Sequence, residues 1–229
     1  MDGDDLIVVH DFEAVTLAPG EERNNVCVSW KLDNDEPFYV NAIEMDAGPG
    51  WHHSNWFVVR EGTLDFEESE GIEACSQHFA ESLALGIAGR LLFGQSTQAR
   101  HEVERFPAGA GILVPAHALI VGDVHLVNTS DAAVTTSIAL TLTKLRDDDV
   151  KHDLMAMGLA YQDLEVPGGA TTEVVGECDL EAVHQRNYSR PLDWSIHYIL
   201  PHYHARGVSA KLEVIGGPHD GLDLLAGSP

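Results

Sequence analysis

The stretch PGWHHSNWFVV, residues 49–59, places two adjacent histidines between a Pro-Gly turn and an aromatic, β-branched run. A run of this kind bounded by a turn predicts a β-strand. Neighbouring side chains on a regular strand point to opposite faces, so His52 and His53 would point apart unless the turn bends both of them inward. Two solvated histidines in a polar turn are the alternative, and this stretch alone favours neither.

The same alternation of strand and turn extends through most of the chain. Short segments rich in Val, Ile, Thr, Tyr and Trp are separated by clusters of Gly, Pro, Asn and Asp, which is typical of an all-β sandwich or jelly roll. Besides 55–59, strands are predicted at 6–9, 24–32, 38–45, 90–94, 111–115, 118–127, 134–145, 171–177, 194–200 and 208–215. Residues 76–88 are the main predicted helix.

The charged run LRDDDVKHD, residues 145–153, is the best candidate for a domain boundary. An apolar strand ends there, and the strand pattern restarts beyond it. We therefore predict one domain at 1–149 and a second, shorter domain at 150–229.

The chain is strongly acidic, with 37 Asp and Glu residues against 13 Lys and Arg residues and a formal net charge of −24. This charge repels phosphate backbones and anionic lipids, so nucleic acid is not an expected partner, whereas metal ions would be attracted. The sequence has no basic leader followed by an apolar stretch and no run of 18 apolar residues, so we expect no membrane insertion. The chain is either cytosolic or a mature form without its export signal.

A second histidine motif is HYH at residues 202–204. Residues i and i+2 of a strand share a face, so His202 and His204 could bring two ring nitrogens onto one metal ion, or could be simple surface polar groups. A cupin-type site would also need a carboxylate shortly after the second histidine, but Val208 and Ser209 stand in that region. A mononuclear cupin dioxygenase is therefore disfavoured.

The third motif is the pair of predicted strands in FPAGAGILVPAHALIVGDVHLVNTS, residues 106–130. His125 lies within an apolar run, where a single histidine is more often a hydrogen-bonded core residue than a ligand. His117 is the competing candidate, but it follows Pro115 where a loop is expected.

The order of these motifs resembles a known family. A cysteine, Pro-Gly with His-His, FPxGxG with a strand-borne Val-His and an Asn three residues later, then Pro-Gly-Gly, a cysteine and HxH follow one another between about Glu21 and Gly217. This series resembles the copper type II, ascorbate-dependent monooxygenases, the relatives of peptidylglycine α-hydroxylating monooxygenase and dopamine β-monooxygenase.

The resemblance implies two consecutive jelly-roll domains with one copper on each, facing one another across a solvent-filled cleft. His52, His53 and His125 correspond to the ligands of the first, electron-transfer copper. His202 and His204 correspond to ligands of the second copper, where O2 and substrate meet. Imidazole binds through either ring nitrogen, so adjacent histidines can reach one ion, and an all-nitrogen site suits both Cu(I) and Cu(II).

The resemblance also implies a disulfide between Cys27 and Cys75, and hence a secreted or periplasmic protein. Cys178 corresponds to a family cysteine whose partner would lie beyond Pro229, so we expect it to be unpaired. Small buried hydrophobic residues are the alternative interpretation of all three cysteines.

One departure from the family concerns the second copper, which takes a methionine as a ligand well after HxH. The methionines of this chain are Met1, Met45, Met155 and Met157, and all precede His202. The second jelly roll is therefore expected to be incomplete, either because the sequence is a fragment or because the second domain is minimal. His219 could substitute as a ligand, although its GPHDG setting is typical of a surface turn.

The function that follows from the resemblance is hydroxylation of a C–H bond with copper, O2 and ascorbate as the electron donor. The substrate would be a small molecule or a peptide, and no motif selects between them. The alternatives are a non-catalytic copper-binding β-sandwich that keeps only the first site, and a structural or recognition domain without metal.

Overall fold

The computed structural model describes residues 6–61, 71–74, 89–95, 99–156, 158–159, 165–199, 201 and 207–227. These residues belong to two compact units, of which the first contains the described residues up to Ala156 and also Pro201. The predicted boundary at 149 falls before Ala156, since a short strand at His152–Asp153 still pairs with residues of the first unit. The predicted helix at 76–88 lies outside the described residues.

The described part of the first unit consists mainly of strands. They are β1 (Ile7–Asp11), β2 (Val15–Leu17), β3 (Glu22–Lys31), β4 (Phe38–Ala47), β5 (Trp51–Val59), β6 (Gly71–Ala74), β7 (Gly89–Gly94), β8 (His101–Arg105), β9 (Ala110–Val114), β10 (Leu119–Val127), β11 (Val134–Thr136), β12 (Ile138–Lys144) and β13 (His152–Asp153), with a 3-10 turn at Asp147–Asp149. The all-β fold predicted from the sequence is confirmed.

Two main sheets make up this unit. The first has the order β1-β12-β4-β9-β13, with β8 also paired to β4, and the second has the order β6-β3-β10-β5-β7. All strand pairs are antiparallel except β13 with β9. Consecutive long strands alternate between the sheets, because β3 and β5 belong to one and β4 to the other. This connectivity is compatible with a jelly roll, and the two-domain jelly-roll arrangement stays a prediction.

The core lies between the two sheets. Alternate side chains of each sheet point inward and join one hydrophobic cluster, in which Met45 and Leu140 come from the first sheet and Val28, Trp56 and Val124 from the second. These five side chains are at most 1% exposed. The arrangement is therefore a β-sandwich, in which burying the inner faces of both sheets provides the main stabilisation.

A smaller apolar cluster occupies the opposite face of the second sheet. It consists of Cys27, Phe57, Val59 and Val121, all buried, with Leu91 and Leu119 partly buried beside them. β5 and β10, which lie side by side in this sheet, are therefore packed on both faces along part of their length. Such packing restricts the movement of both strands.

The described part of the second unit contains one helix, α1 (Leu180–Tyr188), a hairpin of β14 (Ala210–Glu213) and β15 (Asp223–Gly227), and a 3-10 turn at Gly217–His219. Asp179 caps α1, since its side chain accepts a hydrogen bond from the Ala182 backbone nitrogen at 2.9 Å. The sequence analysis did not predict this helix. β14 lies within the strand predicted at 208–215.

The strands predicted at 171–177 and 194–200 are wrong where the structure describes them, because residues 171–177 and 194–199 have no strand conformation. Val175 is 72% exposed and Ile196 is 53% exposed. β-branched residues favour a strand only where a neighbouring strand and a packed face are available, and no described strand pairs with either segment. None of the described helices has the length and apolar character needed to cross a membrane.

Candidate metal centre

An irregularity in the pairing of β5 with β10 places the adjacent histidines together. His125 pairs with His53, but the next residue of β10, Leu126, pairs with Trp51, so His52 is an extra residue on β5. Two residues of β5 thus face one residue of β10, which is a β-bulge. The extra residue breaks the alternation of faces, and this explains how His52 and His53 approach the same position despite being neighbours.

The three imidazole rings of His52, His53 and His125 are in mutual contact. The Nδ1 atoms of His52 and His53 are 2.8 Å apart. The ring of His125 lies 4.7 Å from that of His52 and 5.0 Å from that of His53, measured between centroids. One donor nitrogen from each ring lies within 4.8 Å of the other two, and all three side chains are half-buried.

This donor set fits a transition-metal ion. Imidazole nitrogens bind such ions at about 2.0–2.1 Å, so two nitrogens on one ion are separated by roughly 3–4 Å. The 2.8 Å between Nδ1 of His52 and of His53 and the 4.8 Å limit on the separations among the three rings bracket that range, so the rings are close enough to bind one ion. Three neutral nitrogen donors suit copper, zinc, nickel or iron rather than magnesium or calcium, which prefer oxygen.

Buried polar contacts fix β5 next to the cluster. Ser54 directly follows His53 and is fully buried. Its Oγ accepts hydrogen bonds from Nε1 of Trp56 at 2.9 Å and of Trp51 at 3.3 Å, and lies 3.2 Å from Oε1 of Gln95. These contacts tie the backbone that carries His53 into the core, where no water competes for the hydrogen bonds.

The sequence analysis missed one contact at this centre. Nε2 of His125 lies 2.9 Å from Oε1 of Glu22, at the start of β3. The His125 side chain is 19% exposed and that of Glu22 is 54% exposed. Glu22 is 103 residues away in the sequence, and no local motif indicates such a pairing.

His117, the competing candidate, is not in the cluster. It lies in the loop before β10, in the left-handed backbone region with φ 51°. Its Nε2 is 4.0 Å from Oδ1 of Asp35. The structure therefore brings His125, and not His117, to the adjacent histidines.

The remaining candidate residues have different outcomes. His202 and His204 lie outside the described residues, so the second copper site stays a prediction. Cys27 is buried in β3, whereas Cys178 is exposed and free. Cys75 lies outside the described residues, so its pairing with Cys27 stays a prediction too.

His219 occupies an exposed 3-10 turn. This position agrees with the surface-turn interpretation.

A second, more exposed group of possible ligands lies on the first sheet. Glu44 and Asp46 share a face of β4, and His101 of β8 pairs in register with Asp46. Nδ1 of His101 is 2.8 Å from Oδ1 of Asp46 and 3.9 Å from Oε1 of Glu44. The three side chains are 44–58% exposed, which is ordinary for a surface ion pair.

A search against protein-family models and a search of curated proteins both found no match to this chain. The resemblance to the copper monooxygenases therefore rests on the order of motifs in the sequence. The fold and the cluster together define an all-β protein with a candidate three-histidine metal centre.

Proposed function

We propose that the protein binds one copper ion through His52, His53 and His125. The observation that carries this proposal is the convergence of three half-buried imidazoles from β5 and β10, with donor nitrogens within 4.8 Å of one another. Imidazole accommodates both oxidation states of copper, and the high negative charge of the chain favours the approach of cations. The motif order of the sequence supports copper over the other metals that nitrogen donors bind.

We further propose that the centre serves a monooxygenase that hydroxylates a C–H bond with O2 and ascorbate, as the resemblance implies. Copper at this site would supply one-electron transfer. The protein's own contribution is to hold the three rings in place through the bulge and the Ser54 contacts, and to leave them partly accessible to a reductant. The substrate is a small molecule or a peptide.

A non-catalytic copper-binding module is the second candidate. It is favoured by the described part of the second unit, in which residues 171–177 and 194–199, predicted as strands of a second sandwich, have no strand conformation. Such a protein would bind copper at the three histidines without hydroxylating a substrate.

Copper titration followed by electron paramagnetic resonance tests the proposed metal. We expect the wild-type chain to bind Cu(II) with several nitrogen ligands. We expect His125→Ala to weaken Cu(II) binding by at least about tenfold, because removing a ligand should cost no less than removing a residue that only hydrogen-bonds to a ligand. His117→Ala is the matched control and should bind as wild type does. His101→Ala removes the exposed group on the first sheet and should not alter the nitrogen-ligated signal.

Equal binding by wild type and His125→Ala would contradict the metal proposal. The same preparations distinguish the monooxygenase from the non-catalytic module. They are supplied with 18O2, ascorbate and candidate substrates, namely glycine-extended peptides and phenethylamines. A product carrying one 18O atom, lost in a His202→Ala, His204→Ala double variant, supports the monooxygenase. Tight copper binding without any labelled product supports the non-catalytic module.

A further inference from the structure

We propose that Glu22 is a positioning residue for the metal centre and holds His125 so that Nδ1 is the nitrogen presented to the ion. The inference rests on the proposed function, because it concerns the ion bound by the three histidines. It is carried by the 2.9 Å contact between Oε1 of Glu22 and Nε2 of His125. Each imidazole nitrogen can carry either a proton or a metal ion, but not both. Because the proton on Nε2 is donated to Glu22, Nε2 is not available to the ion and Nδ1 is.

The location of Glu22 suits this role. β10 lies between β5, which carries His52 and His53, and β3, which Glu22 begins. His125 is thus held from two sides, with the other two histidines on one neighbouring strand and the carboxylate on the other.

The pairing of β10 with β3 is irregular at the same place as its pairing with β5. Val124 pairs with Val26 and Val127 with Glu22, and the register shifts between Val124 and Leu126, so His125 has no direct partner on β3. The Glu22 side chain reaches His125 diagonally along the sheet. Diagonal neighbours in a sheet are within reach of long side chains such as glutamate.

The neighbouring charged residue Arg23 does not compete with His125 for the Glu22 carboxylate. Arg23 is engaged elsewhere, since its Nε lies 2.6 Å from Oε1 of Glu21 and its guanidinium donates to the Thr16 carbonyl oxygen. Glu21 is the adjacent glutamate and carries the same charge as Glu22, but its carboxylate accepts hydrogen bonds from the Ala18 backbone nitrogen and from Arg23. Glu21 therefore provides a matched control.

A carboxylate that accepts a hydrogen bond from a metal-binding imidazole fixes the ring and makes it a stronger donor to the ion. The effect is larger for Cu(II) than for Cu(I), because the higher charge gains more from the added electron density. Loss of the carboxylate should therefore weaken Cu(II) binding and raise the reduction potential of the centre. Glutamine at position 22 keeps a hydrogen-bond acceptor but removes the charge.

The test compares Glu22→Gln, Glu22→Ala and Glu21→Gln with wild type by Cu(II) competition titration, redox titration and electron paramagnetic resonance. We expect Glu22→Gln to lose about tenfold and Glu22→Ala between tenfold and a hundredfold in Cu(II) affinity. Both should have a higher reduction potential, and Glu21→Gln should match wild type. Thermal unfolding of the metal-free proteins checks that all variants are folded, and Glu22→Asp, which keeps the charge on a shorter arm, should recover part of the affinity.

Three results would overturn the inference. Glu22→Gln and Glu22→Ala with wild-type affinity and potential, alongside weak binding by His125→Ala, would exclude the positioning role while leaving the proposed function intact. Loss of an oxygen ligand from the spectrum of Glu22→Ala would make Glu22 a ligand instead. Absence of copper binding by wild type would contradict the proposed function itself, and with it this role of Glu22.

Discussion

Two residues beside the histidines, Ser54 and Glu22, make side-chain contacts at the candidate centre. Ser54 follows His53 and is the acceptor for two indole N–H groups. Glu22 engages the ring of His125 from β3. The two residues differ in their surroundings, since Ser54 is fully buried and the Glu22 side chain is half exposed. The first should therefore affect stability, and the second should affect the properties of a bound ion.

We predict that Ser54→Ala destabilises the protein. The variant would leave the buried Nε1–H groups of Trp51 and Trp56 without their acceptor, and a buried unsatisfied donor costs about 1–3 kcal/mol. Ser137→Ala is the control, because Ser137 is exposed and the change should stay within about 0.5 kcal/mol. Urea unfolding followed by tryptophan fluorescence measures both. Equal stability of the two variants would show that water or another group replaces the serine hydroxyl.

At the scale of secondary-structure elements, the bulge in β5 is the feature that makes a site out of two adjacent histidines. His53 keeps its partner His125, and Trp51 keeps its partner Leu126, while His52 is the additional residue between them. A regular strand would have sent one of the adjacent histidines to the core face. The same irregularity explains why period-two reasoning about this strand could not decide which way the histidines point.

Deletion of single residues from β5 tests the bulge. Deleting His52 should leave a regular ladder with both flanking pairs unchanged, so the protein should fold with near-native stability but lose tight copper binding. Deleting Asn55 is the matched control, because it removes a residue that is in register with Asp123. Deleting Asn55 should move the buried side chains on one side of the deletion to the opposite face of the sheet, and the sandwich should unfold.

Circular dichroism and copper titration measure the two deletions. A His52 deletion as unfolded as the Asn55 deletion would contradict the assignment of His52 as the extra residue.

At the scale of the whole molecule, one sandwich supports the centre, and Cys27, for which a disulfide is predicted, is buried on the second sheet. Cys27 pairs in register with Asp123, two residues before His125 on β10. A disulfide at Cys27 would therefore restrain β3 directly beside β10, the strand that carries the third histidine. The described part of the second unit has a helix and a hairpin instead of a comparable sandwich.

We predict that Cys27 is bonded to Cys75 and that Cys178 alkylates without reduction, in line with its exposed, free thiol. Replacing Cys27 with serine should lower the free energy of unfolding by about 2–4 kcal/mol, because the bond restricts the unfolded chain. Cys178→Ser should have no such effect. Peptide mapping under non-reducing conditions identifies the partner, and a peptide joining Cys178 to Cys27 would show the assignment to be wrong.

The sequence by itself determined the all-β class and most of the strands of the sandwich, and it marked His52 and His53 as a candidate site. Strands such as β4 and β10 are long, apolar and bounded by turns, so local composition is sufficient to predict them. His52 and His53 stand out because adjacent histidines at a strand entrance are unusual. The segments at 171–177 and 194–200 have similar composition, and the prediction was wrong for their described residues because strand formation depends on a partner strand.

Only the tertiary structure decided how the centre is assembled. The bulge at His52 exists in the pairing of β5 with β10 and has no signature in β5 alone. The choice of His125 over His117 also depends on which part of β10 lies beside the adjacent histidines. Glu22 reaches His125 across 103 residues of chain. Each of these features is a relation between strands distant in sequence, and strand register is set by packing of the whole sandwich.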